Sequence, residues 1–251
     1  NHSYGFREGR NAHQAVLQAQ LNLNEGYDWV IELDLEKFFD RVNHDKLMGL
    51  LAKQLKDKGT LKLIRSYLNS GIMEDGVVSP RTGGTPQGSP LSPLLSNIVL
   101  DELDKELEAR GHRYVRYADD CSIYVKSEKS AERVKESITA YIESQLKLKV
   151  NCRKSKVSRP QESTLLGFSF YRSGSKWEIR IAPKSLEKIR KKMKGQTRRS
   201  DPSPAREKIK KMDAVIRGWV NYFSIAKAKR KMQELDEQVR TRLRMWLWKQ
   251  W

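Results

Sequence analysis

The sequence predicts an α+β chain in two parts, an interleaved strand-and-helix body over residues 1–183 and an all-helical region over 184–251. Strand-like runs at 29–35, 113–117, 121–125, 165–171 and 176–181 alternate with amphipathic stretches in the first part. From Ser185 onward three helical patterns follow one another, about 185–194, 204–223 and 228–250, with no strand pattern among them. Charge divides at nearly the same place: residues 171–251 carry 24 Lys and Arg against 8 Asp and Glu, within a whole-chain excess of +18.

The length of 251 residues is enough for one large domain or two modest ones, each with a real core. No apolar run approaches the roughly 18 residues of a membrane span, and no signal-peptide pattern opens the chain, so no membrane is expected. Cys121 and Cys152 lie far from any metal-ligand spacing, and His2, His13, His44 and His112 form no ligand pairs. Zinc and a disulfide framework are therefore not expected, and a reducing, cytoplasmic setting is. A basic field of this size attracts polyanions, with nucleic acid first among them.

Taken in order, residues 1–10 read as a loop in which Arg7 and Arg10 suit either phosphate or loop-stabilising ion pairs. Asn11 caps a helix to about Leu23, with Ala15, Val16, Ala19 and Leu23 on one face. Residues 29–35 form a strand whose end carries Asp34, a carboxylate that needs a cation, a donor or solvent there. Glu36 to Asp40 read as a turn with adjacent aromatics, Phe38 and Phe39. Asn43 and Thr60 then open helices near 44–56 and 60–69, and 72–82 suggest a polar hairpin.

Residues 83–93 hold three glycines and three prolines, and the helix of about 91–110 opens from them. That loop is either a tight connection or a cradle whose free helix N–H groups favour an anion. Its spacing is neither a P-loop nor a dinucleotide fingerprint. Next comes a hairpin with Asp119 and Asp120 at its tip, then a helix of 130–147 and a short strand at 148–150. Lys154 and Lys156 follow, flanking a strand near the acids. A second hairpin turns at Ser173-Gly174. In the C-terminal region, aromatics (Trp219, Tyr222, Phe223) alternate with Lys210, Lys211, Arg217, Arg230 and Lys231. Such a surface neutralises phosphate and stacks bases. A helical-bundle core is the stronger reading for Trp219 and Tyr222.

An Asp at a strand end, an Asp-Asp tip and a Gly/Pro loop between them suit phosphoryl or nucleotidyl transfer. Clustered carboxylates repel one another unless a divalent cation sits among them, and Mg²⁺ prefers a few hard oxygen ligands completed by water and phosphate.

The motifs resemble those of group II intron-encoded reverse transcriptase/maturases. The matching pieces are Ser3-Tyr4-Gly5-Phe6-Arg7 with Gly9-Arg10; Asp34-Leu35 with Phe38-Phe39-Asp40; Gly84-Thr85-Pro86-Gln87-Gly88 with Leu91 to Asn97; Tyr117-Ala118-Asp119-Asp120; Lys154-Ser155; Leu166-Gly167-Phe168; and Arg217 to Phe223. The resemblance implies a right-hand polymerase palm with partial fingers, followed by a three-helix maturase thumb. It implies two Mg²⁺ ions held by Asp34, Asp119, Asp120 and the Leu35 carbonyl. Phe38, Phe39, Pro86, Gln87 and Gly88 would meet the incoming dNTP, with Phe39 excluding a ribose 2′-hydroxyl. Lys154 would be the general acid for pyrophosphate, and Leu166, Gly167 and Phe168 the primer grip. Arg7, Arg10 and the basic thumb residues would bind RNA.

The implied reaction is RNA-directed DNA synthesis, with an RNA template, a DNA primer and intron RNA as partners. The family's earlier fingers motifs and its nuclease segment are not among these 251 residues. The expectation is thus a fragment, or half of a split protein, partnered by a separate N-terminal fingers segment. The alternatives are an RNA-splicing cofactor without polymerase activity and a related defence-associated reverse transcriptase.

Overall fold

The computed structural model describes residues 2–70, 72–74, 77–79, 83–85, 89–198 and 204–249. The chain forms two compact units, residues 1–160 and 161–251. The hairpin of 168–181 thus falls in the same unit as the C-terminal helices, where the sequence reading had drawn its boundary after 183.

In the first unit the elements run α1 (Ala12–Asn24), β1 (Trp29–Leu33), α2 (Phe38–Arg41), α3 (His44–Gln54), α4 (Lys58–Asn69), β2 (Ile72–Glu74) and β3 (Val77–Ser79). They continue with α5 (Leu91–Ala109), β4 (Arg113–Tyr117), β5 (Asp120–Val125), α6 (Glu128–Tyr141) and β6 (Lys156–Ser158). Four strands make one sheet in the order β4-β5-β1-β6, antiparallel at each junction. Strand β1 is therefore central, and its Val30, Ile31 and Leu33 are all buried. Helix α6 packs on β1, β5 and β6, α5 reaches β4, and α3 lies on α5. One apolar core results, from Ile31 and Leu33 through Leu47, Leu100 and Tyr114 to Ile123 and Ile138.

Local chemistry sets the helix starts. Asn11 closes a capping box with Gln14, and Asn43 accepts from the Lys46 N–H. Helix α4 starts at Lys58 rather than Thr60, because Asp57 accepts from the backbone N–H groups of both Gly59 and Thr60. Residues 38–41 close a helical turn where a plain turn was expected. Helix α6 runs into a π-helical turn at Ile142–Leu146 and stops at Lys147, in the left-handed region with φ 57. The strand expected at 148–150 reduces to one bridge, Leu35 with Val150, and the ladder with β1 is made by β6 instead.

The second unit begins with the hairpin β7 (Phe168–Ser173) and β8 (Lys176–Ile181), turning at Gly174 with φ 61. Helices α7 (Pro183–Gln196), α8 (Ala205–Tyr222) and α9 (Lys229–Trp248) follow. Their core is Ile189, Met193, Met212, Leu235 and Val239, with Trp219 packed against it. Phe168, Trp219, Tyr222 and Phe223 stack at centroid distances of 4.8 to 5.4 Å, which places Trp219 and Tyr222 with the core as expected. Trp246 is fully buried under the Lys208 ammonium, 4.0 Å from its ring centroid. Trp248 is 82% exposed.

Candidate active site

The site grows from the end of β1. Leu33 pairs with Cys121 of β5, and Tyr117 with Asp120 across the β4–β5 turn. Extending the first register by one residue sets Asp34 opposite Asp120 on one face of the sheet. The turn between β4 and β5 has only two central residues, Ala118 and Asp119, and of these Ala118 alone takes positive φ, at 56. That is the type II′ hairpin geometry, whose twist suits the flanking strands. It projects Asp119 and Asp120 from adjacent positions beside Asp34.

Asp34 is held through its backbone. Its N–H donates to the Ser155 hydroxyl at 3.0 Å, and its carbonyl accepts from the Asn151 N–H at 2.8 Å. The Lys154 ammonium reaches its carboxylate, Nζ to Oδ2 at 3.7 Å. Glu32, two residues earlier and so on the same face, pairs with Lys156 at 3.0 Å. Leu35 forms a non-hydrogen-bonded pair with Val150, because the bonds run from Glu36 to Lys149 and from Asn151 to Asp34. The Leu35 carbonyl therefore points away from Val150, toward the side of β1 that β5 occupies.

Asp120 keeps its proton more tightly than an ordinary aspartate. Desolvation comes first, then repulsion from Asp119, Asp34 and Glu32, while Lys154 pulls the other way. These carboxylates crowd one another. Among the described residues no three His, Cys, Asp or Glu side chains close into a metal cage. Mg²⁺ does not ask for one, since it retains waters and uses one or two carboxylates plus substrate phosphates. The oxygen-only donors and their mutual repulsion fit such an ion.

Beside this cluster, α2 and the glycine loop lock together. Thr85 N–H donates to the Phe39 carbonyl at 2.6 Å, and Gly84 N–H to the Val42 carbonyl at 2.8 Å. His44 Nε2 lies 2.6 Å from the Gly84 carbonyl. Gly84 has φ +82, and a Cβ there would sit 2.8 Å from Asp40 Cα and the Phe39 carbonyl oxygen. Only glycine fits. Of the two aromatics expected at the nucleotide, Phe38 is a core residue, 3% exposed. Phe39 is half-buried against the same core. Pro86, Gln87 and Gly88 lie outside the described residues.

The expected primer grip belongs to the second unit. Leu166 and Gly167 form a two-residue turn with φ 52 and 82, closed by two bonds between Leu165 and Phe168. Tyr222 of α8 donates its hydroxyl to the Leu166 carbonyl at 2.9 Å, and Ser185 of α7 bonds the Gly167 carbonyl at 2.9 Å. The expected RNA-binding side chains are all on the surface. Arg7 donates toward the Ser3 carbonyl at 3.5 Å, and Arg10 lies over the Tyr4 ring. Arg217 pairs with Asp213, and Arg230 and Lys231 with Glu234.

Sequence reasoning missed Ser155 and Asn151 as supports of Asp34. Nothing in a sequence links a serine hydroxyl to a backbone N–H 121 residues away. It also missed Gly5, where a Cβ would collide with the Ala118 nitrogen. The Ser-Tyr-Gly-Phe-Arg motif was the available signal.

Known families match both units. Residues 1–170 match the family Reverse transcriptase (RNA-dependent DNA polymerase), and residues 186–251 match Group II intron, maturase-specific domain. The chain belongs to the group II intron reverse transcriptase/maturase family. Among its relatives, protein YkfC of Escherichia coli K12 is 31% identical, across 71% of this chain and 58% of YkfC. The group II intron-encoded protein LtrA of Lactococcus lactis subsp. cremoris is 28% identical, across 66% of this chain and 38% of LtrA. This reverse transcriptase/maturase chain thus spans little more than half of YkfC and less of LtrA. A telomerase from Candida albicans, solved with a fragment of telomeric RNA, superposes with a TM-score of 0.54 at 14% identity, covering 94% of this chain and 44% of that one. The telomerase match shows a shared fold, a mixed palm followed by a helical thumb.

Proposed function

We propose that the chain is an RNA-directed DNA polymerase of a group II intron, adding dNTPs to a primer 3′-hydroxyl on an RNA template. The observation that carries this reading is the mutually repelling carboxylate group at the end of β1 and the β4–β5 turn, with Lys154 beside it. Asp34, Asp119, Asp120 and the Leu35 carbonyl would hold two Mg²⁺ ions. When bound, Mg²⁺ supplies activation of the primer hydroxyl and stabilisation of the leaving pyrophosphate.

The chain's own groups do the rest. Ser155 and Asn151 fix the Asp34 backbone so that its carboxylate stays aimed at the turn. Lys154 gives a proton to the pyrophosphate oxygen as it leaves. Phe39, anchored through the bonds of its carbonyl to Thr85, blocks a ribose 2′-hydroxyl, and Pro86, Gln87 and Gly88 border the same nucleotide. Leu166, Gly167 and Phe168 grip the primer. Residues 1–183 serve as partial fingers and palm, and 184–251 as the thumb.

The test is Mg²⁺-dependent primer extension on RNA by the wild-type chain and by Asp119→Ala, alone and with an N-terminal fingers segment supplied. Extension should fall by about a thousand-fold or more in the variant; equal extension removes the reading.

The maturase-specific match over 186–251 and the basic excess favour a second role, binding intron RNA through Lys210, Lys211 and their neighbours to assist splicing. Splicing of the cognate intron that is indifferent to the protein would remove that role.

A further inference from the structure

The turn that carries Asp119 and Asp120 stands on a buried arrangement that the reaction scheme above leaves unused. Arg116, next to last in β4, is 1% exposed, and Asp104 of α5 is 2% exposed. Arg116 Nε and Nη2 donate to the two Asp104 oxygens at 2.7 and 2.5 Å, a fork-to-carboxylate pair. The remaining nitrogen, Nη1, donates to the Ala118 carbonyl at 2.9 Å and to Asn97 Oδ1 at 3.1 Å. Asn97 in turn donates from its amide nitrogen to the Gly5 carbonyl at 2.9 Å. Gly5 packs against the other side of the turn, with no room for a Cβ beside the Ala118 nitrogen.

A buried ion pair is a poor way to raise stability, since apolar residues of similar size often do as well. It is a good way to fix a position. Ala118 needs fixing, because a non-glycine residue at φ 56 persists only where its surroundings hold it. Lysine could not replace Arg116 in this task. Its single ammonium cannot engage both Asp104 oxygens and still reach a carbonyl on the far side.

We propose that Arg116, clamped by Asp104, is a positioning residue that holds the left-handed Ala118 turn and so presents Asp119 and Asp120 to Asp34. What the turn presents rests on the polymerase reading; the clamp itself does not.

The experiment is amide hydrogen exchange on the metal-free chain, with primer extension measured alongside. The double variant Arg116→Met/Asp104→Leu removes the clamp without leaving a buried charge unpaired. Expected are a melting temperature close to wild type, exchange about ten-fold faster at Ala118 to Cys121, and unchanged exchange in β1 and α5. Extension should lose kcat about ten-fold with little change in KM for dNTP. Wild-type exchange at the turn in the folded variant overturns the proposal, whatever the activity. Uniformly faster exchange across the unit does so too, because it marks a merely structural pair. If the double variant fails to fold, Arg116→Lys decides, since it leaves a cation for Asp104 but cannot also reach the Ala118 carbonyl. About three-fold faster exchange confined to the turn supports the proposal, and no change overturns it. A wild-type chain without extension activity would count against the polymerase reading and leave the exchange result standing.

Discussion

Asp120 binds its proton more tightly than an ordinary aspartate, because desolvation and the charges of Asp119, Asp34 and Glu32 oppose its ionisation. A folded-state pKa above the unfolded value adds stability fully only below the unfolded value, and that stability is lost as pH rises through the folded one. In chelator, Asp120→Asn should therefore melt above wild type at neutral pH, and the gap should close as pH falls below about 3, where Asp120 is protonated in both states. Thermal denaturation at several pH values checks this; a gap independent of pH contradicts it. The same substitution should lower extension, so stability and activity move in opposite directions. The acids and Lys154 were legible in the sequence because their residue types and order carry the chemistry. Ser155, Asn151 and Arg116 were not, because each acts through a backbone atom or a buried partner that residue type does not reveal.

At the scale of elements, the site is built from tight turns rather than from long segments. Gly84→Ala would force a Cβ into Asp40 and Phe39 at φ +82. It should cost about 1–3 kcal/mol in urea denaturation and raise KM for dNTP by shifting Phe39. A stability within a few tenths of a kcal/mol of wild type would refute this. Tyr222→Phe removes the hydroxyl that donates to Leu166, and should cost about 1 kcal/mol. It should also weaken primer binding in a gel-shift titration. Strands, helices and hairpins were largely readable from apolar period and capping residues, as at Asn11, Asn43 and the 113–125 hairpin. Misplaced features were those set by tertiary pairing: the strand expected at 148–150 keeps one bridge, to Leu35, and Asp57 outcompetes Thr60 as a cap.

For the whole molecule, the basic excess after residue 170 should govern affinity for the proposed RNA partner through counterion release. Lys210→Ala and Lys211→Ala should each reduce the slope of log affinity against log salt by about one. Arg217→Ala should reduce it less, since Arg217 shares its charge with Asp213 at 2.7 Å. Filter binding across salt concentrations separates the two, and equal slopes would contradict the difference. The order of the sheet, β4-β5-β1-β6, also has a consequence in time. Strand β1 is central, yet both of its neighbours are synthesised later, the last ending at Ser158. At ordinary ribosomal speed, β1 waits on the order of ten seconds for its second partner. One edge of β1 keeps its backbone groups without a strand partner meanwhile, a reason for a chaperone to visit the nascent chain. Asp34 comes to rest only when Ser155 has left the ribosome, so under the polymerase reading the carboxylate group is assembled only once nearly all of the first unit has been made.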